Sequence, residues 1–347
     1  MESSSMRALV WTGAGDAGVR MAPLPVPGVG EALLRVTVAG ICGTDVAGFL
    51  GRRTRQRPPG ILGHEVAGAV VTMPAGEWPV SPGDQVVVDP VRTCGACAYC
   101  TSGRRNLCSD LHVLGERGIS GAFAEYVAVP AASTYTVPRE LAPHRSVLAE
   151  PLANAVHLLR AGRAGTPDLA GVCVAIWGAG VQGAFLVQLV RRWGCRRVAI
   201  VDPAEERLAL ARALGADAVF DGRGDAPAAV RAWSGGEGAD LCIEAAGVAD
   251  ARRDVVRATR PGGQVRLLGL REPFGALDFR TVVRRELRIA GSFAYTPEDF
   301  RLALELLCAG AVDLPGAMHG FPLDAGPEAL RKAAGPPGHV LKFTLAP

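Results

Sequence analysis

The sequence predicts an α/β fold in two parts, a β-rich section and a doubly wound parallel sheet wrapped by helices. Three observations lead there. Up to about residue 129 the apolar runs are short, alternate with polar residues and are broken by Gly- and Pro-rich turns. From Val172 onward, buried-strand runs alternate with helical stretches, as crossover connections require. At the first of those crossovers a glycine-rich turn, Gly178-Ala179-Gly180-Val181-Gln182-Gly183, stands between strand and helix.

Taken in order, residues 7–11 and 33–38 read as strands, with Leu34, Val36 and Val38 alternating with Arg35 and Thr37. A turn at Cys42-Gly43-Thr44-Asp45 follows, and then a basic loop with Arg52, Arg53, Arg55 and Arg57, read as solvated. Residues 65–71 form an apolar, glycine-containing strand with His64 and Glu65 at its mouth. Charge at the entrance to a core is costly unless compensated, by a metal, a salt bridge or solvent. The turn Ser81-Pro82-Gly83-Asp84 leads into strand 85–88, and the β pattern resumes over 121–129. From Ser146 the spacing of Leu148, Leu152 and Val156 becomes helical, so 145–161 is expected as a helix passing between domains, with Glu150 just ahead of Pro151.

The second part opens with strand 172–177, the glycine-rich turn and helix 184–193. Strand 197–201 then ends at Asp202, nineteen residues past Gly183. A lone G-x-G-x-x-G means little, but between strand and helix, with an acidic residue at this distance, it is the dinucleotide fingerprint. The glycines admit a pyrophosphate to the helix N-terminus. Asp202 would accept hydrogen bonds from the adenosine ribose and repel a 2'-phosphate, which favours NAD over NADP. Gly178, Gly180, Val181, Gln182, Gly183, Asp202 and Arg207 are the candidate cofactor contacts. Helices 205–214, 226–233 and 249–259 alternate with strands 218–220, 241–244, 264–268 and 288–289. Helices 296–309 and 326–334 and a closing strand 339–345 complete the chain.

Cysteine spacing gives the sharpest local signal. Cys94, Cys97, Cys100 and Cys108 lie in one loop as C-x2-C-x2-C-x7-C, a spacing that folds back around one tetrahedral ion in a closed, structural zinc site. Cys42, His64, Glu65 and the more distant Glu150 form a second zinc-compatible set, one that leaves a position open for water or substrate. Cys173, Cys195, Cys242 and Cys308 read as small core residues, and His112, His157, His319 and His339 lack ligand-like context.

The 347 residues carry a formal net charge of only +3, which gives no reason to expect nucleic-acid or membrane partners. The basic residues are nearly all Arg; Lys332 and Lys342 are the only lysines. No signal-peptide pattern precedes Arg7 and no apolar run reaches membrane-spanning length, so a cytoplasmic location is expected.

In their order along the chain, these motifs resemble the zinc-dependent medium-chain alcohol dehydrogenases over nearly the whole length: Cys42-Gly-Thr-Asp, Gly63-His64-Glu65, the four-Cys lobe, Glu150-Pro151-Leu152, the glycine turn and Asp202. Glu65 and Glu150-Pro-Leu-Ala are similar to the polyol, threonine and 2-deoxy-scyllo-inosamine dehydrogenase branch. The resemblance implies a GroES-like β-rich catalytic domain (1–155 and 292–347, with the zinc lobe at 93–109) and a Rossmann NAD-binding domain (156–291). It implies two zinc ions per chain and NAD. Cys42, His64 and Glu65 would hold the catalytic zinc, Glu150 would ligate it directly or through water, and Thr44 would pass on the substrate's proton. The substrate would be a secondary alcohol or its ketone (polyol, cyclitol, amino-cyclitol or amino alcohol), and the assembly a homodimer or homotetramer. Two departures stand out: Val46-Ala47-Gly48 occupies the region where many relatives carry a relay His, and Phe293-Ala294-Tyr295 replaces the Phe-Arg-Tyr of sorbitol-type enzymes. A zinc-ribbon binding module would account for the four-Cys loop but not for the second set or the glycine turn. A zinc-free enone or quinone reductase of the same fold would account for neither metal set.

Overall fold

The computed structural model describes residues 5–53, 57–160 and 165–347. The chain begins with strands β1 (Ser5–Gly13) and β2 (Asp16–Pro23), antiparallel and joined at Gly15, whose φ of 76° suits glycine. β3 (Glu31–Ile41) follows; it is buried over Ala32–Leu34, alternates between buried and exposed from Leu34 to Val38 and is buried from there to Ile41. A short helix α1 (Gly43–Phe49) leads to β4 (Gly60–Ile61), β5 (Glu65–Thr72), β6 (Gln85–Val88) and β7 (Val91–Arg92). The cysteine loop contains α2 (Ala98–Thr101) and returns through β8 (His112–Val113). β9 (Tyr126–Pro130), β10 (Thr134–Thr136), α3 (Pro143–Ser146) and α4 (Ala149–Arg160) end this stretch.

Next come β11 (Cys173–Trp177), α5 (Val181–Arg192), β12 (Arg197–Asp202), α6 (Glu205–Ala213), β13 (Ala218–Asp221) and α7 (Ala226–Ser234). β14 (Ala239–Glu244), α8 (Ala249–Ala258), β15 (Thr259–Leu267), α9 (Phe279–Arg284) and β16 (Arg288–Gly291) continue the alternation. The tail is α10 (Pro297–Cys308), β17 (Met318–Pro322), α11 (Gly326–Ala334) and β18 (Lys342–Ala346).

Two compact units result, one drawn from residues 1–151, 296–336 and 342–347, the other from 152–295 and 337–341. In the first, a sheet runs β10-β6-β5-β3-β18-β17 with β9 also on β3, beside a smaller sheet β2-β1-β4. Leu9, Trp11, Phe49, Phe123 and Leu330 share its core, so α11 and β18 finish a fold that the first residues begin. The second unit is one parallel sheet in the order β13-β12-β11-β14-β15-β16. Its central strand β11 is buried at every position, which is why that stretch reads as a continuous apolar run.

Several details differ from the sequence expectation. The helix expected over 145–161 is two helices, α3 and α4, and Ala161 lies outside the described residues, as does Arg55. Pro151 falls in the first turn of α4, where the missing N–H costs no hydrogen bond. α5 starts at Val181, so the end of the glycine turn is already helical. The last strand starts at Lys342, and residues 337–341 cluster with the second unit. Cys308 is exposed at the end of α10, not a core residue, because it shares the solvent-facing side of that helix with Arg301 and Glu305, while Leu304, Leu306 and Leu307 are buried. Arg53 is not simply solvated: its guanidinium pairs at 2.5 Å with the buried Glu116.

Candidate active site

The start of α1 and the start of β5 bring Cys42, His64 and Glu65 together. One donor atom from each lies within 4.8 Å of the others. Asp45, fully buried, holds the arrangement: its carboxylate accepts from the Cys42 N–H at 2.9 Å and the Gly63 N–H at 3.1 Å, and lies 3.5 Å from His64 Nδ1. A carboxylate behind a ligating histidine fixes its tautomer and ring orientation. Burial opposes charge on both partners, but their attraction and the backbone N–H bonds outweigh it. Asp45 is held below the usual carboxylate range and His64 is lifted well above the usual imidazole range. Metal binding must displace that proton, so affinity rises with pH.

Glu65 sits opposite Gly40 of β3, and a Cβ at Gly40 would stand 2.0 Å from a Glu65 carboxylate oxygen, so only glycine leaves room for it. A second group meets the same carboxylate. Lys342 Nζ donates to its two oxygens at 2.6 and 2.7 Å and to the Ile41 carbonyl at 3.2 Å. Thiolate, imidazole and carboxylate are zinc donors, and their chemistry and convergence suit one ion held at about 2.0–2.3 Å. Thr44 lies between Cys42 and Asp45, half-buried. Glu150, in the first turn of α4, is not drawn into the three-residue cluster.

Cys94, Cys97, Cys100 and Cys108 also converge within 4.8 Å. Cys94 Sγ lies 3.9 Å from Cys100 Sγ and 3.5 Å from Cys108 Sγ. Four thiolates around one zinc at about 2.3 Å sit roughly 3.8 Å apart, so the set fits a closed tetrahedral site. Backbone N–H groups of Ala96 and Cys97 lower the Cys94 thiol to about 6, ionising it at neutral pH.

In the second unit the glycine turn bends at the carboxyl end of β11. A Cβ at Gly178 would meet Ala246 N at 2.8 Å, and one at Gly183 would meet Gly178 O at 1.9 Å, so the protein's own packing requires both glycines. At Gly180 the nearest atom would be Arg207 Nη1, 4.0 Å away. A side chain there would fill the space before the turn, which is where a pyrophosphate approaches the backbone, so the residues fit a dinucleotide. Val181 and Gln182 open α5. The Asp202 carboxylate accepts from Ala179 N–H at 2.8 Å and Ala204 N–H at 2.9 Å, so it shapes the turn and keeps lone pairs for a ribose. Arg207, beside Asp202, donates to the Gly338 carbonyl at 3.2 Å.

Asp202→Gly is expected to weaken NADH binding by at least about tenfold, since bonds to a charged group contribute about 1.5–3 kcal/mol each. The NADPH-to-NADH affinity ratio should rise as the repulsion disappears. Fluorescence titration with both cofactors measures this; an unchanged ratio would show that Asp202 does not discriminate.

Sequence reasoning missed Lys342 and Gly40 here. The rarity of lysine in this chain was the one available signal for the first, and pairing register, which no local pattern gives, was needed for the second.

Comparison with known proteins follows the same division. Residues 28–139 match the family model "Alcohol dehydrogenase GroES-like domain", and residues 182–309 match "Zinc-binding dehydrogenase". An L-threonine 3-dehydrogenase of Pyrococcus furiosus is 35% identical over 264 residues, covering 75% of this chain and 74% of that one. Among solved structures, a zinc-binding dehydrogenase from Sinorhizobium meliloti bound to NADP superposes with a TM-score of 0.90 at 33% identity, covering 99% of this chain and 100% of its own. A dehydrogenase from Escherichia coli CFT073 complexed with NADH gives a TM-score of 0.90 at 26% identity, over 99% and 100% of the two chains.

Proposed function

The chain belongs to the zinc-dependent medium-chain alcohol dehydrogenase family, and on that premise we propose that it oxidises a secondary alcohol of polyol, cyclitol or amino-alcohol type with Cys42, His64 and Glu65 as its catalytic zinc ligands. It is an NAD-dependent dehydrogenase acting on CH–OH groups. The observation that carries the site assignment is the convergence of those three donors on a buried, carboxylate-backed histidine. When bound, zinc makes a substrate hydroxyl easier to deprotonate and NAD accepts the hydride.

The chain's own residues divide the remaining work. Asp45 orients His64 and pins the Cys42 backbone. Thr44, adjacent in sequence, offers the hydroxyl that passes the substrate's proton outward; with Val46-Ala47-Gly48 beyond it, no histidine extends the relay locally. Glu150, outside the cluster, acts at one remove through water. Gly178, Gly180 and Gly183 with Val181, Gln182, Asp202 and Arg207 hold NAD, and Cys94, Cys97, Cys100 and Cys108 hold a structural zinc. Asp202 favours NAD in this chain, although the Sinorhizobium relative carries NADP. The alanine of Phe293-Ala294-Tyr295, at a φ of 49°, supplies no cation for a sorbitol-like polyol, which favours amino alcohols such as L-threonine, the substrate named for the Pyrococcus relative.

A second copy of the chain is the proposed partner, as a homodimer or homotetramer. Phe274, Phe279 and Val283 are 84, 70 and 74% exposed around α9, which has no buried residue, beside the edge strand β16. An apolar patch next to an open strand edge is what a second copy would cover. Among the described residues no helix is long and apolar enough to cross a membrane. A cytoplasmic location is proposed because thiolate zinc sites need reduced cysteines.

NADH formation across vicinal diols, cyclitols and 3-hydroxy amino acids tests the substrate class. Turnover is expected with at least one secondary alcohol bearing a neighbouring hydroxyl or amino group. Activity confined to simple primary alcohols would overturn it.

A further inference from the structure

Lys342 and Glu65 belong to β18 and β5, the two strands that flank β3. The register sets Gly40 of β3 opposite both Glu65 and Thr344, and Ile41 opposite Phe343. Because Gly40 has no side chain, the Glu65 carboxylate lies across the middle strand and meets the ammonium group from the far side. The two side chains are 3% and 0% exposed, and each of the three ammonium protons has an acceptor. This is a built, fully satisfied ion pair around a carboxylate that also belongs to the zinc-compatible cluster. A carboxylate offers about four lone pairs. The lysine takes one on each oxygen, so a metal can share the group with it.

We infer that Lys342 is a positioning residue of the metal site: it shares Glu65 with the zinc, supplies part of the counter-charge and thereby sets how tightly the metal is held. The inference rests on the reading that Glu65 is a ligand. With Lys342 present, the buried carboxylate is compensated whether or not zinc is bound. Without it, zinc alone can neutralise Glu65, and the metal-depleted protein holds a bare buried charge, one of the more destabilising features a core can contain. Metal binding must then relieve that cost, so removing the lysine tightens zinc. A lysine that served only to stiffen the sheet would predict the opposite, since loosening a site weakens it.

The experiment is a chelator titration of the full-length protein with zinc content followed by metal analysis, and thermal melting before and after depletion. The zinc lost from Cys42→Ser identifies the active-site class, so that the four-cysteine zinc is not confused with it. Lys342→Met is expected to hold active-site zinc at least about tenfold more tightly than the parent. Its melting-temperature gap between loaded and depleted protein should widen by roughly 3–6 °C, the shift that matches that factor. Glu65→Gln/Lys342→Met, which buries neither charge, should fold without zinc and hold it at least about tenfold more weakly than the parent. If Lys342→Met does not survive depletion, this double variant decides the matter. Zinc affinity unchanged or weakened in Lys342→Met, or a double variant that binds like the parent, overturns the inference. Should Cys42→Ser lose no zinc at all, it is the zinc-site reading that fails instead.

Discussion

Cys42→Ser is expected to abolish turnover while leaving a folded protein that still binds NADH. Loss of a partner behind a ligand costs roughly 10–100-fold in metal affinity or activity, and loss of the ligand itself should exceed that range. The backbone has no reason to move. Asp45 accepts from the N–H of residue 42 at 2.9 Å, a bond that serine keeps, and Cys42 is only half-buried. A thiolate is exchanged for a neutral hydroxyl, so the set is left with one imidazole and one carboxylate already held by Lys342. Three readouts together check this: zinc content should fall by about one per chain, NADH affinity should hold, and the melting temperature should stay close to the parent's. Near-normal turnover with full zinc would remove Cys42 from the site.

The second large effect is of another kind. Cys100→Ser should lower the melting temperature by roughly 5 °C or more and cost about one zinc per chain. The lobe it sits in has almost no core of its own: α2 has no buried residue, Cys94 is exposed and Tyr99 is half-exposed. Such a segment depends on its metal, as small zinc modules do, where binding supplies folding free energy directly. What ties the lobe to the rest of the unit is local, the short β7–β8 pair and the Arg105–Asp89 ion pair. These anchor the ends of the loop but do not tie together its interior, where the four thiols converge. Differential scanning calorimetry with metal analysis makes the check. An unchanged transition with unchanged zinc would mean that the four thiols do not hold a structural ion.

The legible features of this chain were the ones with short sequence range. The glycine turn could be read because strand, turn and helix are contiguous, and the four-Cys lobe because its ligands span fifteen positions. The alternating second unit was readable from its apolar runs, since a parallel sheet buries both faces of its strands. By contrast, β2 and α9 bury no residue, so no periodicity announced them. The Glu65–Lys342 pair spans 277 positions and depends on the order of three strands, which composition and spacing do not encode. Asp45 was visible as a carboxylate near the site, but that it ties Cys42, Gly63 and His64 together depends on where β5 enters. The break between α3 and α4 was hidden for a related reason: Val147 and Leu148, in the junction itself, are buried, so the apolar spacing runs on from there into Leu152 and Val156 of α4.

The central claim, an alcohol dehydrogenase whose chemistry depends on the Cys42–His64–Glu65 zinc, is tested most directly by one titration. Purified protein is depleted of zinc stepwise while zinc per chain and the rate of NADH formation from the best secondary alcohol are measured on the same samples. The expected result is about two zinc ions per chain at the start, loss of the rate in step with the ion that Cys42→Ser lacks, and recovery on adding zinc back. A rate that persists once that ion is gone would contradict the account.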